Sequence, residues 1–239
     1  MTCLTFRATI ERRSTPLPTP PRYEGPSRSA RVTAQVAKNG WWVVPAIALA
    51  WPALDVVFLA FVSVVLAGSA AIAAVVDERS NDRADGADQP FSRRVALFLV
   101  LTLLSSALGL GHLPFSRVPD DVRSAATLVL GGGYLLRTLA MGTNRFFSSA
   151  ILLQIERRHA VCDKGPYRLV RHPGYLSALV IVLAIPLAVG SLIGLAPALL
   201  AAIEILRRTR LEDRLLHEAL AGYPGYAKRV RWRVVPLVY

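Results

Sequence analysis

The sequence predicts an all-α, polytopic helical membrane protein, and three observations carry that expectation. Of 239 residues, 53% are hydrophobic and 18% charged, against roughly 45–50% and ~25% in soluble domains. The mean hydropathy is positive, +0.41. The apolar residues gather into blocks long enough for bilayer-spanning helices, which need ~20 residues each. Two cysteines, Cys3 and Cys162, are too few for a secreted disulfide scaffold. Net charge is +12, from 28 Lys/Arg against 16 acids, an excess suited to nucleic acid or to an anionic membrane surface. The basic residues flank the apolar blocks and no groove-binding motif is present, so the lipid bilayer is the expected partner and nucleic acid is not.

Residues 1–40 hold seven Lys/Arg, two Glu and a Pro/Ser/Thr-rich stretch from Ser14 to Pro21. That composition cannot bury a core and reads as a disordered basic cytosolic tail. It lacks the apolar stretch and cleavage site of a signal peptide, and Glu11 and Glu24 disfavour a transit peptide. Residues 41–94 form an extra N-terminal unit. Trp41 to Val76 is apolar except at Pro52 and Asp55, and its 36 residues would make a helix ~54 Å long. A hairpin turning near Pro52–Asp55 fits a ~30 Å hydrocarbon core better than one helix. The polar linker 77–94 follows, with five acids and four basic residues.

Residues 95–239 form the expected core. Val95 to Leu113 has the length of one span. Val122 to Met141 is a second, with Gly131, Gly132 and Gly133 permitting close helix contact. Arg137, near its end, is placed to snorkel. Leu176 to Leu206, with Pro186, Gly190, Gly194 and Pro197, suits two short helices folded back on each other. The flanks of that hairpin are basic: six Lys/Arg against two acids over 142–175, and eight against three over 207–239. The positive-inside rule puts both in the cytosol. Carried back to the basic N-terminus, the rule gives six crossings with both termini cytosolic.

Two stretches can carry chemistry. His159-Ala-Val-Cys162 leads to Gly165-Pro-Tyr-Arg-Leu-Val-Arg-His-Pro-Gly-Tyr175. Gly165-Pro166 is a turn signal, and Pro173 pushes His172 away from helix. Aromatics and arginines at this level also serve as plain interface anchors. No metal is expected, because His159 and His172 lack Cys, Asp or Glu at ligand spacing. The second stretch, 207–222, reads as a helix. At ~100° per residue, Glu204, Arg208 and Glu212 fall on its apolar face, with Asp213 and Arg207 on or beside the polar arc. Charges on an apolar face need partners or a ligand. A structural Glu–Arg–Glu ladder is the alternative reading.

These motifs, in order, resemble the isoprenylcysteine carboxyl methyltransferase family. The pattern is Gly165-Pro-Tyr-Arg-x-x-Arg-His-Pro-x-Tyr175, an apolar hairpin, Arg208-x-x-x-Glu212, Gly222-Tyr-x-x-Tyr226-x-x-Arg229 and Arg233-x-x-Pro236. Asn144-x-Phe-Phe-Ser148 and the Gln154 to His159 spacing look like its bacterial members. The resemblance implies a membrane methyltransferase of the bacterial cytoplasmic membrane that uses S-adenosyl-L-methionine, with a C-terminal cytosolic cofactor-binding region. No Rossmann domain is expected, since Gly109-Leu-Gly111 lies in an apolar helix without the strand context of a dinucleotide fingerprint. Carried over residue by residue, the cofactor site comprises Gln154, His159, Ala160, Val161, Cys162, Tyr167, His172, Pro173, Gly174, Tyr175 and Glu212. Arg208 and Glu212 are the catalytic pair. Arg208 matches the substrate-side arginine, with Arg207 a one-residue alternative. The implied acceptor is a carboxylate on a lipid-like or prenylcysteine-type molecule entering from the membrane. Phospholipid amine N-methylation, small-thiol S-methylation and a non-catalytic scaffold are the competing functions.

Overall fold

Asp55 opens the first helix by accepting a hydrogen bond on Oδ1 from the Phe58 amide at 2.8 Å, the side-chain bond that satisfies an otherwise orphaned helix N–H. The computed structural model describes residues 33, 55–75, 89–147, 160–236 and 238. Within them run α1 (Val56–Val75), α2 (Gln89–His112), α3 (Asp120–Thr143), α4 (Pro173–Val189), α5 (Leu195–Ala219) and the short α6 (Tyr223–Arg229). Among the described residues there is no strand, only an isolated bridge between Arg117 and Ser191. Among the described residues, three helices are long and apolar enough to cross a membrane: Val56–Val75, Arg93–His112 and Asp120–Thr143. α4 is a shorter apolar helix. The described residues therefore have the expected all-α architecture, with three candidate membrane-spanning helices.

α4 is the central helix. It packs against α1, α2, α3 and α5, most extensively against α3. Its own sequence allows this because apolar residues surround it, as a helix buried on all sides requires. Phe58, Phe61, Leu103, Leu130 and Ile185 join one buried cluster among α1 to α4, and Leu179, Val182, Ala198, Ala201 and Ile205 form a second between α4 and α5. α3 and α5 flank α4 without packing extensively on each other.

The hairpin expected over 176–206 is realised by α4 and α5. Gly190 closes α4 at φ +106°, a conformation that L side chains rarely adopt. The second arm is longer than expected. α5 continues unbroken through the charged stretch to Ala219, ~37 Å of helix, because no proline or glycine interrupts residues 198–219. In the first block, α1 begins directly after Asp55. The proposed first arm, 41–54, the tail and most of the polar linker lie outside the described residues.

At the Asp55 end of the bundle sits a buried cation that the sequence reading did not single out. Arg123, 3% exposed, binds both oxygens of Asp55 and Oδ1 of Asp120. Removal of Asp55 would leave the buried Arg123 poorly compensated, with only Asp120 beside it. The opposite end, where α3 stops and α4 starts, carries the candidate site.

Candidate active site

Pro173 begins α4, and the backbone of the two residues before it is held by the C-terminal segment. The Arg171 amide donates to Trp232 O at 2.9 Å and the His172 amide to Arg233 O at 2.8 Å. This docking brings the His172 turn, the end of α5 and the stretch after α6 into one polar cluster.

Asp213 is its hub. Arg171 binds the carboxylate bidentately, Nε to Oδ1 at 3.0 Å and Nη2 to Oδ2 at 3.1 Å. Tyr223 donates its hydroxyl to Oδ1 at 2.8 Å, and Arg233 Nε donates to Oδ2 at 2.8 Å. His172 Nε2 lies 3.2 Å from Oδ1. Burial by itself would raise the Asp213 carboxyl, but the hydrogen bonds from His172, Tyr223 and Arg171 outweigh it and hold the group well below the ordinary carboxylate range. Burial, reinforced by the charge of Asp213, pushes the Tyr223 phenol up, so it remains a donor.

This corrects the placement of Asp213 on the solvated arc of α5. The residue is 2% exposed. The buried positions of the helix, Ala198, Ala201, Ala202, Ile205, Arg208, Thr209 and Asp213, centre about 70° from Arg208 on a helical projection. The apolar arc read from sequence centred nearer Arg208, and Leu211 on its far edge is in fact exposed. The polar cluster draws α5 round, because its several hydrogen bonds require Asp213 to face inward.

Glu212, the next residue, faces a different group. The Tyr175 hydroxyl donates to Glu212 Oε2 at 2.7 Å and accepts from Arg208 Nε at 2.9 Å. Arg208 is 3% exposed, whereas the Glu212 side chain retains 25%. His172 Nδ1 lies 3.9 Å from Glu212 Oε1. His172 thus stands between the two carboxylates, one ring nitrogen towards each. Glu204, the third member of the expected ladder, is engaged by Arg94 of α2 at 3.1 Å and by Arg207 at 2.9 Å. Arg207 is consequently outside the Tyr175 cluster, with its side chain 68% exposed.

The remaining expected positions that are described lie on the stretch 160–174. Tyr167 sits in a 3-10 turn over Gly165–Arg168, buried, with its hydroxyl donating to Ala140 O at 3.4 Å and its carbonyl accepting from the Tyr226 hydroxyl at 2.7 Å. Burial pushes the Tyr167 and Tyr226 phenols up as well. Pro173 and Gly174 are buried at the start of α4. A Cβ on Gly174 would lie 2.6 Å from the Phe147 ring, so glycine is what lets that ring close over the turn. Ala160 is exposed, Val161 and Cys162 are half-buried on a non-helical run, and Cys162 Sγ approaches Thr143 O at 3.7 Å. Gln154 and His159 lie outside the described residues. Among the described residues no group of three or more His, Cys, Asp or Glu could hold a metal ion.

Arg171, Asp213, Tyr223 and Arg233 are the residues to which the sequence reading assigned no role. All four stand in or beside the motifs quoted above. The signal that marks them is the need of a buried carboxylate for several donors at once, which a helical projection does not contain.

A bundle of apolar helices with a polar, partly buried cluster at one end suggests a membrane protein with its candidate site at that end. Residues 125–218 match the isoprenylcysteine carboxyl methyltransferase (ICMT) family. That segment, from the first turns of α3 to the last turn of α5, is similar to this methyltransferase family, in line with the resemblance of its motifs. No curated protein matches the chain.

Proposed function

We propose that the protein is an integral membrane methyltransferase that uses S-adenosyl-L-methionine to O-methylate the carboxylate of a lipid-like or prenylcysteine-type acceptor. The observation that carries this reading is the Tyr175 hydroxyl between Arg208 and Glu212. It joins a cation suited to an acid acceptor to a partly exposed carboxylate suited to a cationic donor, within one hydrogen-bonded unit.

The residues present fit such a cofactor. Glu212 keeps an accessible face for an ammonium or hydroxyl group, and the non-helical run 160–162, half-buried at Val161 and Cys162, offers backbone donors and acceptors. Gln154, His159, Tyr167 and the His172–Tyr175 turn complete the proposed binding set. Bound there, S-adenosyl-L-methionine supplies a methyl on a sulfonium, which an acceptor oxygen attacks in line while the C–S electron pair leaves on sulfur. A carboxylate acceptor is already ionised near neutral pH and has no proton to lose. The chain's own residues therefore orient rather than deprotonate. Arg208 aligns the acceptor through a guanidinium that matches carboxylate geometry. Tyr175 fixes the rotamers of both Arg208 and Glu212. The Asp213 cluster holds His172 and the α4 start in place, and Phe147 over Gly174 excludes water.

The unit is cytosolic in this reading, because the basic stretches 142–175 and 207–239 meet at that end of the bundle. Methyl-labelled cofactor given to the purified protein in membranes tests the proposal. Label recovered as a base-labile ester in the lipid or prenylated fraction is the expected result. Label in base-stable amines or volatile sulfides would transfer the assignment to N- or S-methylation, and no cofactor binding would leave only a scaffold.

A further inference from the structure

α2 and α5 pack side by side, and each carries an exposed apolar strip that meets arginine at the same end of the bundle. On α5, Leu200, Ile203, Arg207, Leu211 and Arg214 fall within one arc of about 80°, and all five are exposed. On α2, Arg93, Leu97, Leu101 and Leu108 share an arc of similar width with Arg94 at its edge, and all of these are exposed too. Glu204 fixes the common level of the two strips. Its Oε2 accepts from Arg94 Nε at 3.3 Å and Nη2 at 3.1 Å, and its Oε1 accepts from Arg207 Nη1 at 2.9 Å.

The order of residues along α5 sets the depth of this cluster. Arg207 has Ile203 about 6 Å to one side along the helix and Leu211 about 6 Å to the other, both exposed. An arginine set between exposed apolar residues lies at headgroup depth, with its stem along acyl chain and its guanidinium among phosphates. The Glu204 side chain is only 13% exposed, against 52% for Arg94 and 68% for Arg207. The carboxylate therefore lies beneath and the two cations face outward. Two guanidiniums against one carboxylate leave a positive charge. Their bonds to Glu204 use Nε and Nη2 of Arg94 and Nη1 of Arg207, so Arg94 Nη1 and Arg207 Nε and Nη2 remain to donate.

We propose that Arg94 and Arg207, held side by side by Glu204, form a binding site for the phosphate of an anionic phospholipid of the phosphatidylglycerol class in the cytosolic leaflet. The site goes beyond the methyltransferase reading and does not depend on it. A phosphodiester offers two unesterified oxygens, one to each guanidinium, in the geometry that such forks match. The acyl chains lie along the strips of Leu97 and Leu101 on α2 and Leu200 and Ile203 on α5. A zwitterionic headgroup brings its own ammonium and balances no charge, so the site selects the anionic lipid.

The test titrates the detergent-purified full chain with phosphatidylglycerol or with phosphatidylcholine of the same acyl chains, and counts bound lipid by native mass spectrometry. Wild type should prefer phosphatidylglycerol. The double variant Arg94→Gln, Arg207→Gln should lose affinity for it by about tenfold or more, the effect of two interfacial cations, with little change for phosphatidylcholine. Lys228→Gln with Arg231→Gln removes the same charge from exposed positions elsewhere on the basic end and should leave the preference intact. Glu204→Gln removes the competing carboxylate and should tighten phosphatidylglycerol binding severalfold, a change that loss of folding does not produce. Equal binding of the two lipids by wild type, an undiminished preference in the Arg94/Arg207 variant, an equal loss in the Lys228/Arg231 variant, or weaker binding in Glu204→Gln would each overturn the proposal. Displacement of the lipid by inorganic phosphate at equal concentration would overturn it as well, by reducing the site to a general anion site.

Discussion

Glu212 and Asp213 are adjacent in sequence and serve opposite sides of one histidine. Glu212 accepts from Tyr175 and keeps a quarter of its side chain exposed, while Asp213 is buried under Arg171, Tyr223 and Arg233. His172 separates them, 3.9 Å from Glu212 Oε1 and 3.2 Å from Asp213 Oδ1. Consecutive helical residues point ~100° apart, so two acids in a row can reach two environments. The more exposed one keeps a solvent-facing edge, and the buried one orders the His172 turn.

That division predicts distinct losses. Arg208→Ala should reduce turnover by about a hundredfold or more while cofactor affinity is largely retained. Glu212→Ala should weaken cofactor binding by about tenfold or more. Arg207→Ala should have a small effect on both, since its side chain lies outside the cluster and pairs with Glu204. Turnover, cofactor affinity and melting temperature of the three variants check this. Normal turnover per folded molecule in the Arg208 and Glu212 variants would reduce the pair to a structural element.

Asp213→Asn should act through stability. It leaves Arg171, itself buried, without its counter-charge, at a cost of about 3–5 kcal/mol. Acid titration gives a second readout. An unfolded aspartate ionises near ~3.9, whereas the folded Asp213 carboxyl is held well below that. Its stabilising contribution is complete above the unfolded value and drains away as pH falls from there towards the folded pKa. Wild type should therefore lose stability steeply below about pH 4, and Asp213→Asn should show a shallower slope over the same window. Equal slopes in urea melts from pH 2 to 6 would contradict the assignment.

Gly190→Ala separates fold from site. An added methyl must tolerate φ +106° and approach Arg123 Nε within 2.6 Å. A loss of about 1–3 kcal/mol is expected, read as a lower melting temperature. Cofactor affinity of the folded fraction should stay unchanged, because Gly190 sits at the far end of α4 from His172.

Topology is checked by cysteine labelling in a background with Cys3 and Cys162 changed to serine. Lys164→Cys and Lys228→Cys should react from the cytosolic side. Phe115→Cys, exposed in the turn between α2 and α3 at the other end of the bundle, should react from the opposite side. Opposite accessibility of positions 164 and 228 would abolish the shared surface on which the site depends.

Hydropathy and charge along the chain determine the helical membrane class, the hairpin at Gly190–Gly194 and the end of the bundle that is basic, because burial in lipid acts on each segment by itself. The motif order from Gly165 to Pro236 likewise points to the family before any contact is known. The inward turn of Asp213 is different. Its donors come from positions 171, 172, 223 and 233, and a helical projection of α5 sees none of them. Asp55 shows the same limit: in sequence it interrupts an apolar block and marks a turn, and only the tertiary structure supplies Arg123 as its partner. Local pattern sets which segments enter the membrane. Which polar groups are buried together depends on helices brought side by side from distant parts of the chain, since a buried charge is stable only where its partners converge.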